Sequence, residues 1–334
     1  MKKILNNPKE FALDTLKGIY AAHPQDLTFV EDDLHCLIKK DLVKGKVGIV
    51  TGGGSGHLPL FLGYVGDGLL DGCAVGDVFQ SPSSEQILNV TKAVEQGQGV
   101  LYLYGNYSGD IMNFEMATEM AEMDDIRTEH LVCGEDVASS KKGEEHKRRG
   151  VAGIFFVYKC AGAKADELAS LDEVKRIGEK AAANVRTMGF ALSPCIIPEV
   201  GKPSFTLADD EMEIGMGIHG EPGINRTKLL TAKELVQILM EKIIEDLPYN
   251  KGDEVCVLLN GLGSTPKEEL YIMYKETAEI LEMKGIKVFH AFIGEIATSM
   301  EMAGGSISLL KLDDELKKLI KKPCYTPFYC QKEL

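Results

Sequence analysis

The stretch Lys46-Val47-Gly48-Ile49-Val50-Thr51-Gly52-Gly53-Gly54-Ser55-Gly56-His57 changes character half-way along. Its first half is a short run rich in Val and Ile, and its second half is a glycine loop that stops at a large polar side chain. A buried strand delivers a loop to a site in this way. A second run, Gly99 to Tyr104, ends in Gly105-Asn106-Tyr107-Ser108-Gly109-Asp110, and a third, Gly150 to Lys159, ends in Cys160-Ala161-Gly162. Helical stretches lie between them, at Ser84 to Gln96 and Asn113 to Met123. Strands alternating with helices predict a largely parallel sheet, whose loops gather in one crevice at the carboxyl ends of the strands.

Working outward, Asn7-Pro8-Lys9-Glu10 reads as a helix start, with Asn7 as N-cap, Pro8 at the first helical position and Glu10 as the return partner of a capping box. Toward the C-terminus a long helical segment, Asp172 to Met188, gives way to Pro194, Pro198, Gly201 and Pro203. The second half then reads as strand (Glu211 to Ile218), helix (Thr231 to Ile244), strand (Glu254 to Asn260), helix (Ser264 to Lys284), strand (Lys287 to Ile293) and a shorter apolar run, Ser306 to Leu310. The expected fold class is α/β with two domains. An N-terminal three-layer α/β domain on a largely parallel sheet covers residues 1–188, and a smaller C-terminal α+β domain covers residues 189–334.

A net charge of −14 over 334 residues excludes a phosphate-backbone partner, since nucleic-acid binding needs a concentrated basic surface. The most basic stretch, Lys141 to Arg149, is interleaved with Glu144 and Glu145 and reads as a solvated loop. The eight cysteines form no C-x-x-C pair, which suits a reducing cytosol. The N-terminal residues have no apolar signal core, and no run approaches a membrane span, so the expected location is cytoplasmic.

The glycine loop fails each phosphate or nucleophile motif it invites. A P-loop needs Lys-Ser or Lys-Thr after its last glycine, and His57-Leu58-Pro59 follows instead. G-x-G-x-x-G and G-x-S-x-G both lack their closing glycine, which His57 replaces. The loop by itself says that backbone approaches something closely at a strand end. His57 reads either as a capping or core histidine or as a functional one, and Asp110 as an Asx-turn, an N-cap or a functional carboxylate. Ending adjacent strands of a parallel sheet, the two make a plausible acid/base pair for deprotonating a hydroxyl. His219, in Ile218-His219-Gly220-Glu221-Pro222-Gly223, is enclosed by glycines that leave its ring accessible. It reads as a turn residue, a metal ligand, or a nucleophile for a carbonyl carbon. Metal binding has no H-E-x-x-H or regular His spacing to support it, Asp209-Asp210-Glu211 reads as an exposed turn, and the Met residues between Met112 and Met123 read as helix core. Neither a nucleotide cradle nor Mg²⁺ carboxylates are found, so if phosphoryl transfer occurs the nucleotide belongs to another chain.

Five segments in order resemble the DhaK family of dihydroxyacetone kinases. They are Gly52-Gly53-Gly54-Ser55-Gly56-His57, Gly76-Asp77-Val78-Phe79 to Ser81-Pro82-Ser83, Asn106-Tyr107-Ser108-Gly109-Asp110-Ile111-Met112-Asn113-Phe114, Arg148-Arg149-Gly150-Val151-Ala152-Gly153 and Gly217-Ile218-His219-Gly220-Glu221-Pro222-Gly223. The similarity runs from about residue 1 to about residue 330, and the last segment is the most specific. What it implies is a homodimeric two-domain subunit in which His219 binds the carbonyl of dihydroxyacetone or a related short ketose as a hemiaminal. His57, as base, and Asp110 match residues that engage the hydroxyl to be phosphorylated, and Gly54, Ser55, Gly56 and His57 match part of the substrate pocket. The nucleotide, ATP or a bound ADP recharged by a phosphotransferase-system protein, is implied with Mg²⁺ on a DhaL-type partner, with no cofactor on this chain. Two departures fall in the pocket region: relatives that use dihydroxyacetone commonly read Gly-His-Glu-Pro at Gly56-His57-Leu58-Pro59, and Lys-Asn-Tyr at Gly105-Asn106-Tyr107. They bear on which ketose is taken, with erythrulose one candidate. DhaK-like proteins also serve as ketose sensors that bind a transcriptional regulator; a sensor needs the carbonyl anchor but no base, so His57 and Asp110 favour the kinase.

Overall fold

A computed structural model describes residues 2–334. The chain groups into two compact units, each gathered from separate segments: Met1–Cys133, Val157–Lys180 and Leu316–Leu334 in the first, Gly134–Phe156 and Ala181–Glu315 in the second. The boundary expected after residue 188 falls inside a strand of the second unit. A shift in composition marks a loop, whereas a unit is defined by which segments pack together.

The first unit contains α1 (Phe11–Ala22), β1 (Leu27–Val30), β2 (Asp33–Lys39), β3 (Gly48–Ser55), β4 (Gly72–Val78), α2 (Ser84–Val94), β5 (Val100–Gly105), α3 (Ser108–Met123) and β6 (Thr128–Cys133). Its sheet runs β1-β2-β4-β3-β5-β6. The strands β4, β3, β5 and β6 are parallel, and an antiparallel β1–β2 hairpin is added at the β4 edge. One face carries Cys36, Ile38, Val50, Ala74, Tyr102 and Tyr104, packed against Ile87, Val90 and Val94 of α2 and Phe114 and Ala117 of α3. On the other face the Thr51 hydroxyl meets the Tyr158 hydroxyl at 2.8 Å, from α4 (Ile154–Ala165). Gly178 of α5 (Leu171–Asn184) lies so close to Leu131 of β6 that a β-carbon there would collide with it. Helices on both faces make this unit three-layered.

The second unit contains β7 (Val185–Ser193), β8 (Glu211–Ile214), β9 (Asn225–Lys228), α6 (Ala232–Asp246), β10 (Glu254–Gly261), α7 (Lys267–Met283), β11 (Lys287–Gly294) and β12 (Ala303–Leu312). Its sheet runs β11-β10-β12-β7-β8-β9, and among these pairings only β10–β11 is parallel. Leu235, Val236, Leu239, Met240 and Ile243 of α6 and Leu270, Met273, Ile280 and Leu281 of α7 share one core with Met188, Val255, Val257, Ile307 and Leu309 of the sheet. A full capping box, Thr231 with Glu234, starts α6. The chain ends with α8 (Asp314–Ile320) and a two-stranded sheet of β13 (Cys324–Tyr325) and β14 (Cys330–Gln331).

Several sequence expectations are corrected. The apolar run at Gly150 to Lys159 is the buried helix α4, not a strand; an all-apolar run has no polar face from which to read a period. The helix expected to reach Met188 stops at Asn184 and continues as β7. Asn7 is the N-cap, through a bond from the Lys9 amide at 3.1 Å, and Pro8 follows it, as expected, but they start a 3₁₀ turn that precedes α1 rather than α1 itself. Met112, Met116 and Met123 are exposed rather than core, because Phe114, Ala117 and Ala121 form the buried stripe of α3. The basic stretch is exposed through Lys147 only. Arg148 turns inward to a bidentate pair with Asp246, at 2.9 and 2.5 Å, and Arg149 pairs with Asp136.

Candidate active site

In the first unit the carboxyl ends of neighbouring strands carry the residues picked out in the sequence. Gly54 pairs with Gly76 across β3 and β4, and a β-carbon on it would sit 2.6 Å from the Gln80 amide nitrogen and 2.7 Å from Phe79 Cα. No side chain fits there, so the glycine-rich sequence reflects backbone packed on backbone. Ser55 closes β3 with its hydroxyl donating to the Gly76 carbonyl at 2.8 Å. Gly56 follows, and then His57, which is 1% exposed. Its ring stacks on Phe79, with centroids 4.8 Å apart, and meets the edge of Phe61 at 5.9 Å. Both aromatic residues have positive φ, +58° and +66°. Such strain in bulky residues persists only where the surroundings impose it, and here it serves to hold one imidazole.

The adjacent strand β5 ends at Gly105, and α3 begins three residues later. Asp110 lies in the first turn of α3 and is 5% exposed. The unpaired amides of a helix N-terminus favour a negative charge nearby. Burial, and after it the Asp110 charge, pushes the Cys73 thiol of β4 well above its usual range. Gly109 packs against Ser81, where a β-carbon would lie 2.7 Å from the Ser81 hydroxyl. The β3, β4 and β5 ends thus bring the Gly54–His57 loop, the Phe79–Ser81 turn and the start of α3 into one neighbourhood of the first unit.

His219 belongs to the second unit. Gly217 to Gly220 form a turn closed by the Gly220 amide donating to the Gly217 carbonyl at 3.1 Å, and Gly220 has φ +82°. The His219 side chain is 23% exposed, with Nδ1 3.0 Å from Glu221 Oε1, and its backbone amide donates to Glu221 Oε2 at 2.9 Å. A carboxylate at one ring nitrogen sets the role of the other. Burial opposes ionisation of Glu221, but the bond and charge of His219, with the Arg149 charge beyond, hold its carboxyl down to about 2. Glu221 and Arg149 fall within segments that resemble the family but carry no assigned role there, and Asp136 falls in none of them. The one available signal was Glu221 two residues after His219, with Arg149 in a quoted segment.

A family model described as the Dak1 domain matches residues 17–328. The chain belongs to this family. It is 45% identical over 330 residues to the PTS-dependent dihydroxyacetone kinase 2, dihydroxyacetone-binding subunit DhaK, of Listeria innocua, a match covering 98% of this chain and 99% of that subunit. It is 39% identical to a D-erythrulose kinase of Mycolicibacterium smegmatis, covering 98% of this chain but 56% of that enzyme. Among solved structures it resembles the dihydroxyacetone kinase operon co-activator Dha-DhaQ, with a TM-score of 0.86, 32% identity and coverage of 96% and 97% of the two chains. The proteins it is similar to thus include kinase subunits and an operon co-activator.

Proposed function

We propose that the chain is the ketose-binding subunit of a dihydroxyacetone-kinase-type phosphotransferase. The observation that carries the reading is the burial of His57 and Asp110 just beyond the ends of the neighbouring parallel strands β3 and β5, with the His57 ring packed against Phe61 and Phe79. In this reading His219 attacks the ketose carbonyl carbon. Its nitrogen lone pair forms the C–N bond, the carbonyl pair moves to oxygen, and that oxygen takes a proton from solvent to give a hemiaminal whose ring, still carrying its own N–H, is left positively charged. His57 accepts the proton of the terminal hydroxyl as that oxygen attacks the phosphoryl group, and Asp110 engages the same hydroxyl. Gly54, Ser55, Gly56 and Gly105 shape the substrate pocket. The phosphoryl donor, ATP or ADP recharged by a phosphotransferase-system protein, sits with Mg²⁺ on a DhaL-type partner. The chain works as a homodimer and takes dihydroxyacetone or a slightly longer ketose such as erythrulose.

A second reading has a specific observation behind it, the likeness to the co-activator across nearly the whole of both chains. As a sensor the protein would bind ketose and then a transcriptional regulator without turnover. The deciding experiment combines the purified chain with a DhaL-type subunit, supplied with ATP or a recharging system, and assays dihydroxyacetone, D- and L-erythrulose and glycerol. Ketoses are expected to be phosphorylated and glycerol is not. Ketose binding and regulator binding, with no turnover alongside any partner, would establish the sensor instead.

A further inference from the structure

We infer that Glu221 is a positioning residue that fixes the tautomer of His219, and that Arg149, tied down by Asp136, holds Glu221 in place. This rests on the reading of His219 as the ketose-capturing residue and adds which side chains make it competent. The argument begins with a donor that cannot change. The His219 backbone amide can only donate, so Glu221 Oε2, 2.9 Å away, must accept. In the ionised carboxylate Oε1 is an acceptor as well, so the proton of the neutral ring belongs on Nδ1, 3.0 Å from Oε1. The lone pair then lies on Nε2, at the far side of the ring from the carboxylate. A ketone carbon can be attacked only by the nitrogen that carries the lone pair.

The bond and charge of His219 do most to keep Glu221 ionised, Arg149 adds to them, and the arrangement behind Glu221 aims it. Arg149 donates from Nε and Nη2 to Asp136 Oδ2 at 3.0 and 2.7 Å, and from Nη2 to the Gly215 carbonyl at 3.0 Å. These bonds fix the guanidinium plane. A β-carbon at Gly217 would lie 2.7 Å from Arg149 Nη1 and would overlap the Glu221 carboxylate, so the two charged groups flank the same glycine. Asp136 is almost fully buried, as expected of an anchor rather than a ligand contact. All these residues lie in one compact unit. When Nε2 bonds to the ketone carbon, the positive charge left on the ring faces Glu221 through Nδ1–H, which favours the adduct.

Glu221→Gln makes a sharp test because it preserves shape and offers only one acceptor. The His219 amide claims the amide carbonyl, which turns the Gln nitrogen toward Nδ1. The ring proton must then move to Nε2, and the nucleophilic lone pair is lost. Nitrogen-15 NMR of histidine-labelled protein reads the tautomer without ligand, with His219→Ala used to assign the signal among the seven histidines. With [2-¹³C]dihydroxyacetone, a one-bond ¹³C–¹⁵N coupling reports the adduct and the nitrogen that forms it. Wild type is expected to show Nδ1–H and a coupling to Nε2, and Glu221→Gln to show Nε2–H with adduct formation weakened by up to about 10⁴-fold, the scale of a wrong-tautomer substitution. Arg149→Met is expected to keep Nδ1–H and weaken the adduct about fivefold, the scale of one ion pair. An Nε2–H ring in wild type overturns the inference without need of any variant, as does a Glu221→Gln protein that retains both Nδ1–H and the adduct. No ¹³C–¹⁵N bond in a wild type whose ring is Nδ1–H would instead defeat ketose capture by His219 and leave the tautomer assignment standing.

Discussion

At the scale of single residues, the proposed function gives carbonyl capture and hydroxyl deprotonation to different side chains, so they are expected to separate on mutation. His57→Asn keeps a side chain of polar character between Phe61 and Phe79 and removes the base. Ketose binding, read by titration calorimetry, is expected to persist while transfer falls about 10²–10⁴-fold; an unchanged turnover with partner saturating would make His57 structural. Substrate length is argued from two other residues. Gly105 ends β5 five residues before Asp110, and Leu58, partly exposed, follows His57 directly. With no long cationic side chain at the one and no carboxylate at the other, the pocket should be roomier and less charged. A ketose one carbon longer still offers the carbonyl and a terminal hydroxyl. A higher kcat/KM is therefore expected for erythrulose than for dihydroxyacetone, by about 1–3 kcal/mol at most in discrimination. A head-to-head kinetic comparison with one partner and one donor checks it, and a preference for dihydroxyacetone would show that Leu58 and Gly105 do not set the substrate.

At the scale of elements, the β1–β2 hairpin illustrates both a prediction and the limits of the sequence. Val30 pairs with Asp33, so Glu31 and Asp32 alone make the turn, and both have positive φ, +56° and +53°. A two-residue turn of this kind ordinarily announces itself with Asn-Gly or Asp-Gly, and Glu-Asp sends no such signal. The left-handed conformation costs a non-glycine residue about 1–2 kcal/mol. Asp32→Gly is therefore expected to raise the unfolding free energy by up to about 1–2 kcal/mol, less the entropy a glycine loses on folding, and so to shift the urea midpoint upward; no gain would mean that the turn is not strained. The same logic explains what was legible elsewhere. Helices α2, α6 and α7 were readable because each has a one-sided pattern bounded by caps or glycines, and the β3, β5 and β10 runs, buried along nearly their whole length, because they are short, apolar and stop at glycines. The buried helix α4 misled because its apolar residues face every direction. The glycine loop announced a close backbone approach, which Gly54 makes, but Phe61 and Phe79 as the clamp on His57 depend on φ angles that no residue type foretells. His219 stood out by its glycines; its link to Arg149 joins residues seventy positions apart and needed the fold.

At the scale of the whole molecule, stability should depend on pH through a carboxyl that no ligand chemistry uses. Glu135 is fully buried in the second unit, its Oε1 accepts from the Val151 amide at 2.8 Å, and its Oε2 makes no hydrogen bond. Burial, with the Asp136 charge adding to it against several backbone bonds, pushes its carboxyl up to about 8. The sign follows from proton counting. Between the ordinary value of 4.5 and about 8 the folded chain holds a proton on Glu135 that the unfolded chain has released. Rising pH therefore favours unfolding across that window, by no more than about 1.4 kcal/mol per pH unit from this group. Below the window both states are protonated and the group is silent; above it both are ionised and the loss is complete. Glu221 behaves in the opposite sense, since its carboxyl is held down to about 2 and its contribution disappears only as the solution becomes strongly acidic. The two effects occupy different pH ranges and can be separated. Urea midpoints measured from pH 5 to pH 9 are expected to fall steadily and then level near pH 8. Glu135→Gln, which mimics the neutral acid and keeps an acceptor for the Val151 amide, is expected to flatten that slope while leaving the midpoint near pH 5 little changed. A slope that survives the substitution would mean that Glu135 ionises normally in the folded chain, with solvent or a structural adjustment relieving its burial.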